Sequence, residues 1–171
     1  MLRIYLARHG QTCENLSRVF QGQLPGCLTD EGRRQALALG ERLRGVPLDA
    51  VVSSDLRRAV ETVRLAVGDR RLPWEQVPLF REIDWGSFTG RKIDDLQGQP
   101  FPPDAETAEQ LYERAGRCVE YLRSRYEGCS VLVVAHGLFN RSLQARIEGI
   151  PMKRLRSIPH MANAEVRRLV L

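Results

Sequence analysis

The chain has no CxxC pair and no regular cysteine spacing; its four cysteines are Cys13, Cys27, Cys118 and Cys129. That excludes a disulfide framework, and they are read as free thiols of a reducing cytoplasm. Lysine is almost missing: Lys92 and Lys153 stand alone among 26 basic residues, so the rest are arginine. These arginines are scattered among 21 acids with no basic block or aromatic-rich patch, which argues against nucleic acid despite the net charge of +5. No apolar run approaches membrane-spanning length, so no membrane partner is expected. The first apolar run is too short and too promptly charged for a secretory signal, and a cytoplasmic location is expected. Repeats, low-complexity tracts and linkers are absent too. With 171 residues, 43% hydrophobic and 27% charged, the chain suits one globular domain over residues 1–171.

What is present is an alternation of apolar runs and helix-period segments. "LRIYLA" reads as a first strand. Thr29 caps a helix carrying Ala36, Leu39 and Leu43 through about Arg44. "DAVVSS" reads as a short buried strand, followed by a helix from about Asp55 with Ala59, Val60, Val63 and Val67 on it. "WEQVPLF" is a further candidate strand, and the Gly/Pro-rich stretch from Gly86 to Pro103 is too irregular for a long element. A long helix carries Leu111, Ala115, Val119, Leu122 and Tyr126. "SVLVVA" is the clearest buried strand, then comes a helix with Leu138, Leu143 and Ile147, and "AEVRRLVL" is a weak last strand. The alternation predicts a three-layer α/β/α sandwich around a mostly parallel sheet.

In such sheets ligands bind beyond the carboxyl ends of the strands. The first strand ends in Arg8-His9-Gly10 and "SVLVVA" ends in His136-Gly137, so two of only three histidines occupy equivalent tips. "DAVVSS" runs into Arg57-Arg58. Guanidinium forks suit phosphate oxygens, and a helix starting just after Gly10 would add N–H donors. Neutral imidazole is available as a nucleophile near neutrality, and adjacent glycines allow close approach. A carboxyl group is still needed to protonate a leaving oxygen and later deprotonate water.

Five ordered blocks carry a wider likeness. "LARHGQTCENLSRVFQG", "CLTDEGRRQA", "VVSSDLRRAVET", "LFREIDWGSFTG" and "VVAHGLFNR" together resemble the histidine phosphatase superfamily, in its phosphoglycerate mutase-like branch, over nearly the whole length. The resemblance implies a phosphoglycerate mutase-like fold and a metal-independent phosphomonoesterase acting on a small phosphorylated metabolite, with no cofactor. It also implies roles: His9 as the nucleophile that becomes phosphohistidine, Glu82 as proton donor and then general base, and Arg8, Arg58 and His136 as holders of the phosphoryl group. Asn15, Gln21, Gly22 and Gly137 fall at positions that line the phosphate pocket.

Other residues are read without chemistry. His160 is structural, Arg57 faces solvent or an acid such as Asp55, and Asp94-Asp95 form a solvated turn or short helix rather than a metal pair. Cys13 lies near the pocket but lacks the C-x5-R loop of a cysteine phosphatase. "PPDAETAEQ" departs from the P-G-G-E-S-type segment common before the long helix, with Ala105 at a frequent glycine position. Two alternatives remain: a cofactor-dependent phosphoglycerate mutase, which needs a longer insertion after the acid, and a non-catalytic phospholigand-binding module. "RGVPLDAVVSSDLRRAVETVRLAVGDRRLP" is also similar to the same region of α-ribazole-phosphate phosphatases of cobalamin synthesis.

Overall fold

The computed structural model describes residues 1–171. β1 (Arg3–Arg8) and β4 (Ser130–Ala135) run parallel, with Arg3 opposite Ser130 and Arg8 opposite Ala135. That register brings the residues just after each strand, His9 and His136, to the same edge. β2 (Ala50–Ser53) pairs in parallel with the far side of β4, and β3 (Trp74–Gln76) pairs in parallel with β2. β5 (Val166–Val170) lies antiparallel beside β1, giving the order β3-β2-β4-β1-β5.

Parallel neighbours need crossovers, and helices supply them. α2 (Asp30–Leu43) and α3 (Arg57–Val67) cover one face, where Leu39, Leu43, Ala59 and Val63 meet Ala7, Val51, Leu132 and Val134. α4 (Ala108–Tyr126) and α5 (Gly137–Ile147) cover the other, where Leu111, Leu122, Phe139 and Leu143 meet Ile4, Leu6, Val131 and Val133. The alternation of faces along β1 and β4 is the period-2 rule of a pleated strand. Fully burying each Leu or Val here contributes about 1.5–3 kcal/mol. The predicted three layers and mostly parallel sheet are therefore present, and β5 is the antiparallel edge.

Several boundaries follow their local chemistry. The Thr29 hydroxyl accepts from Gly32 N–H and starts α2, and Thr107 with Gln110 forms a capping box at α4. Two expectations hold only in part. The helix after Gly10 is α1 (Cys13–Leu16), a single turn that starts three residues later, capped by Thr12 and Asn15. "WEQVPLF" is strand only over Trp74–Gln76, because Pro78 cannot extend the ladder and opens a 3₁₀ turn, Pro78–Phe80. The stretch after Glu82 holds only 3₁₀ turns at Gly86–Phe88 and Asp94–Leu96, as its glycines and prolines predict.

The loop after β1 is pressed against the first turn of α2. A Cβ on Gly32 would overlap the Gln11 carbonyl, and one on Gly10 would overlap the Gly32 carbonyl. Gly32→Ala is therefore expected to lose about 1–3 kcal/mol of stability. Gly45→Ala, with nothing within 4 Å of the added carbon, serves as the control. Urea denaturation of the two variants decides it; equal midpoints would mean that the loop yields without strain.

Candidate active site

β1 delivers Arg8 and His9, β4 delivers His136, and the start of α3 delivers Arg58 to one edge of the sheet. His9 is 3% exposed and its Nδ1–H donates to the Gly10 carbonyl at 2.7 Å. A carbonyl only accepts, so Nδ1 carries the proton and Nε2 keeps its lone pair. The His9 and His136 ring centroids are 5.2 Å apart, and both nitrogens of the fully buried His136 lack a protein partner. Arg58, 1% exposed, donates to the carbonyls of Leu24 and Gly22, the latter at 2.6 Å. Arg8 donates to the Met161 carbonyl at 2.7 Å. The Nε groups of both arginines are buried without a partner.

One buried and one half-buried guanidinium thus rest on backbone carbonyls with no carboxylate bonded to either. Burial pushes the Arg58 pKa down to about 10 and lowers that of Arg8, opposed in each case by the charge of Glu82. Burial first, and the nearby charges of Arg58 and Arg8 second, hold His9 well below the ordinary imidazole range. His136 is lowered for the same reasons, with His9 adding to them. A pocket of uncompensated cations around a neutral imidazole is complementary to a phosphate dianion.

Glu82 closes the same cavity, of about 150 Å³, which Arg8, His9, Asn15, Gln21, Gly22 and Arg58 also line. Its carboxylate sits at the start of α5. Oε1 accepts from Ile83 N–H at 3.0 Å and Phe139 N–H at 2.8 Å, while Oε2 accepts only from Leu138 N–H at 3.0 Å. Oε1 has both lone pairs engaged, so Oε2 is the oxygen with room for a proton. Behind it, Arg114 binds Glu106 through two bonds of 2.8 Å and donates to the carbonyls of Leu79, Arg81 and Glu82.

Most of the expected residues converge here, in different ways. The Asn15 side-chain oxygen caps α1 by accepting from Thr12 N–H, and it also receives Asn163 Nδ2 at 3.3 Å. Gln21 Oε1 is buried and unpartnered, and Gly22 contributes its carbonyl to Arg58. His136 and Gly137 stand behind the cavity wall; a Cβ on Gly137 would lie 3.3 Å from Arg8 Nε, so that glycine makes room for the guanidinium. Arg57 and His160 are exposed, and the carboxylate of Asp55 is taken by Arg81 at 2.7 Å rather than by Arg57. Asp94 pairs with Arg18 on the surface, and Cys13 is exposed. No group of three or more His, Cys, Asp or Glu side chains is placed to hold a metal ion.

Three supporting residues escaped sequence reasoning. Thr62 Oγ1 accepts from Gly10 N–H at 3.0 Å and donates to the Arg58 carbonyl at 2.7 Å. Its spacing of four from Arg58, on one helix face, was the available signal. Asn163 donates to the His9 carbonyl at 3.2 Å from a C-terminal loop, and Arg114 works from α4; neither had a local cue. Val19, Phe20, Trp85 and Ile93 complete the wall.

Comparison with known proteins finds relatives over most of the chain. A sequence model described as the histidine phosphatase superfamily (branch 1) matches residues 4–171. The chain is 31% identical to the adenosylcobalamin/alpha-ribazole phosphatase of Escherichia coli K12, over 88% of this chain and 81% of that one. It is 33% identical to the probable phosphoglycerate mutase GpmB of Salmonella arizonae, over 88% of this chain and 77% of the other. The solved structure of Bacillus stearothermophilus YhfR superposes with a TM-score of 0.91 at 33% identity, covering 98% of this chain and 90% of that one. No helix is long and apolar enough to cross a membrane.

The buried imidazoles make stability depend on pH. Their folded pKa values lie below the unfolded value near 6.5, so the unfolded chain binds more protons as pH falls. Stability is full above about pH 6.5 and declines below it, by about 1.4 kcal/mol per pH unit for each group until its folded pKa is reached. Urea denaturation at pH 7.5 and 5.5 is expected to show this loss, and His136→Gln to reduce it by roughly half. A slope unchanged by that substitution would place the proton uptake elsewhere.

Proposed function

The chain belongs to the histidine phosphatase superfamily (branch 1), and we propose that it is a phosphomonoesterase working through a phosphohistidine on His9. The observation that carries this reading is an imidazole oriented through Nδ1 by Gly10 and flanked by two guanidiniums with no carboxylate partner. Phosphoryl transfer asks the protein mainly for positioning and for positive donors around the non-bridging oxygens.

In the first step His9 Nε2 attacks phosphorus in line with the ester oxygen. An N–P bond forms, the P–O bond to the alcohol breaks, and Glu82 Oε2 gives its proton to the departing oxygen. Arg8, Arg58 and His136 receive the charge on the phosphoryl oxygens, with Asn15 and Gln21 at the mouth. In the second step water attacks the phosphohistidine, Glu82 takes its proton, and phosphate leaves with His9 neutral again. Each step uses only groups of this chain.

A mutase must hold the phosphorylated intermediate away from water, which takes a closing cover with its own binding groups. Here the segment after Glu82 packs as 3₁₀ turns around Phe88 and Phe101, and its cations Arg91 and Lys92 are exposed and outside the cavity lining. That favours water as the acceptor. A binding-only module is disfavoured because His9, Arg58, Glu82 and His136 are all in place. The name of the Escherichia coli relative makes α-ribazole phosphate the first natural ester to assay.

Phosphorus NMR of EDTA-treated protein is the test. Phosphomonoesters are expected to release inorganic phosphate, and 3-phosphoglycerate to yield little 2-phosphoglycerate. Alkaline quenching should trap acid-labile phosphate on the protein. His9→Ala should remove both signals, lowering turnover by about 10³-fold or more. Dependence on added metal, or label that persists in His9→Ala, would overturn the mechanism.

Glu82→Gln is expected to slow alkyl phosphates by about 10²–10⁴-fold and activated aryl phosphates much less, since only poor leaving groups need the proton. Steady-state kinetics on a leaving-group series decides it, and a uniform defect would assign Glu82 a purely structural part.

A further inference from the structure

A second cavity, of about 750 Å³, adjoins the phosphate cavity and shares Trp85 with it. Ile83 and Leu138, whose N–H groups hold the two Glu82 oxygens, also line it, which brings it next to Glu82 although Glu82 itself lines only the smaller cavity. The body of the larger cavity is apolar, built from Trp85, Phe101, Leu138, Met152 and Leu155. The Trp85 and Phe101 rings stack on one another with centroids 5.2 Å apart and planes inclined by 28°, so the cavity is bordered by an aromatic stack.

The far part of the cavity is charged. Leu138, Arg141 and Ser142 line it from one face of α5, at the i, i+3, i+4 spacing that places side chains together. Arg141 therefore stands about 5 Å further along the helix than the Leu138 N–H that anchors Glu82. Its Nε is buried without a partner and it has no ion pair, while Lys153 and Arg156 stand on the same lining, also unpaired. Two acids share this lining: Glu106 is engaged by Arg114, and Glu109, which forms no ion pair, has no bond to Arg141. Burial, with the charges of Arg167 and Arg156, lowers the Arg141 pKa, in keeping with a guanidinium short of negative charge.

Building on the phosphomonoesterase reading, we propose that the alcohol part of the substrate lies in this cavity. That part has a flat apolar body against Trp85 and Phe101 and a second anionic group received by Arg141. The scissile phosphate then sits at His9, the ester oxygen at Glu82, and the second charge one helical turn or more beyond it. Arg141 is a specificity-determining residue that touches substrate remote from the reacting bond.

Matched probes test this. 6-Carboxy-2-naphthyl phosphate is compared with 2-naphthyl phosphate for kcat/KM. The corresponding non-hydrolysable naphthylmethyl phosphonates, with and without the carboxylate, are compared with methylphosphonate by calorimetry. The naphthyl body is expected to improve binding over methylphosphonate. The carboxylate should add about tenfold in both Kd and kcat/KM, the increment of a charge-assisted hydrogen bond. Arg141→Met is expected to bring the carboxylate preference close to one, and Arg141→Lys to keep part of it. A wild-type protein with no carboxylate preference, or a preference that survives Arg141→Met, overturns the assignment. Phosphonate binding that shows the preference without any ester hydrolysis supports the cavity assignment and overturns the phosphatase reading instead.

Discussion

The structure turns on the burial of one guanidinium. Arg58 is 1% exposed and sits among backbone carbonyls, so its desolvation is offset by hydrogen bonds to Gly22 and Leu24, by the charges of Glu82 and Glu14, and by whatever anion the pocket receives. Those bonds shape the loop that carries Gln21 and Gly22. One turn later on the same face of α3, Thr62 bonds the Arg58 carbonyl and the Gly10 N–H together. A single helix face thus fixes the phosphate loop and the backbone beside His9. Removing Arg58 would remove a charge from the pocket and also release the wall that surrounds it.

Glu82 is positioned by a different device. Its carboxylate occupies the N-terminal end of α5, where free N–H groups and the helix dipole favour an acceptor. The same helix begins at His136, so the acid and the second histidine share one origin. Behind Glu82, the Arg114–Glu106 pair and the bonds of Arg114 to the carbonyls of Leu79, Arg81 and Glu82 hold this stretch of chain against α4. Glu82 is therefore firmly held while the groove next to it stays open, which under the proposed mechanism separates proton transfer from substrate shape.

The elements that were legible in the sequence are those governed by local rules. Apolar runs marked β1, β2 and β4, threonine caps marked α2 and α4, and the strand-tip histidines marked the edge at which the site is built. What was not legible depends on contacts distant in the chain. Asn163 reaches the His9 carbonyl across most of the sequence, and Arg114 supports Glu82 from a helix whose charged residues otherwise look solvated. The helix expected after Gly10 is delayed and reduced to a single turn for a similar reason. Gly10 and Gln11 are pressed onto Gly32, and the chain must bridge to Leu28 through Thr12 before it can turn.

The arginine bias, which in the sequence reads as background, divides in the fold into distinct uses. Arg18, Arg33, Arg34, Arg44 and Arg125 sit in half-exposed or exposed ion pairs, each worth little on its own. Arg81 and Arg114 pair with Asp55 and Glu106 in partly or largely buried sites and hold loops to helices. Arg8, Arg58 and Arg141 have no such partners; the first two line the cavity at the tip of β1 and the third lines the larger cavity that shares Trp85 with it. A chain with a surplus of cations could have spread the unpaired ones over its surface, where water would solvate them cheaply. Leaving three with buried, unpartnered Nε groups, two of them beside the buried imidazole of His9, costs folding free energy, and an anionic ligand recovers it on binding. The distribution of unmet charge, more than any single residue, marks this edge as the place where the molecule acts.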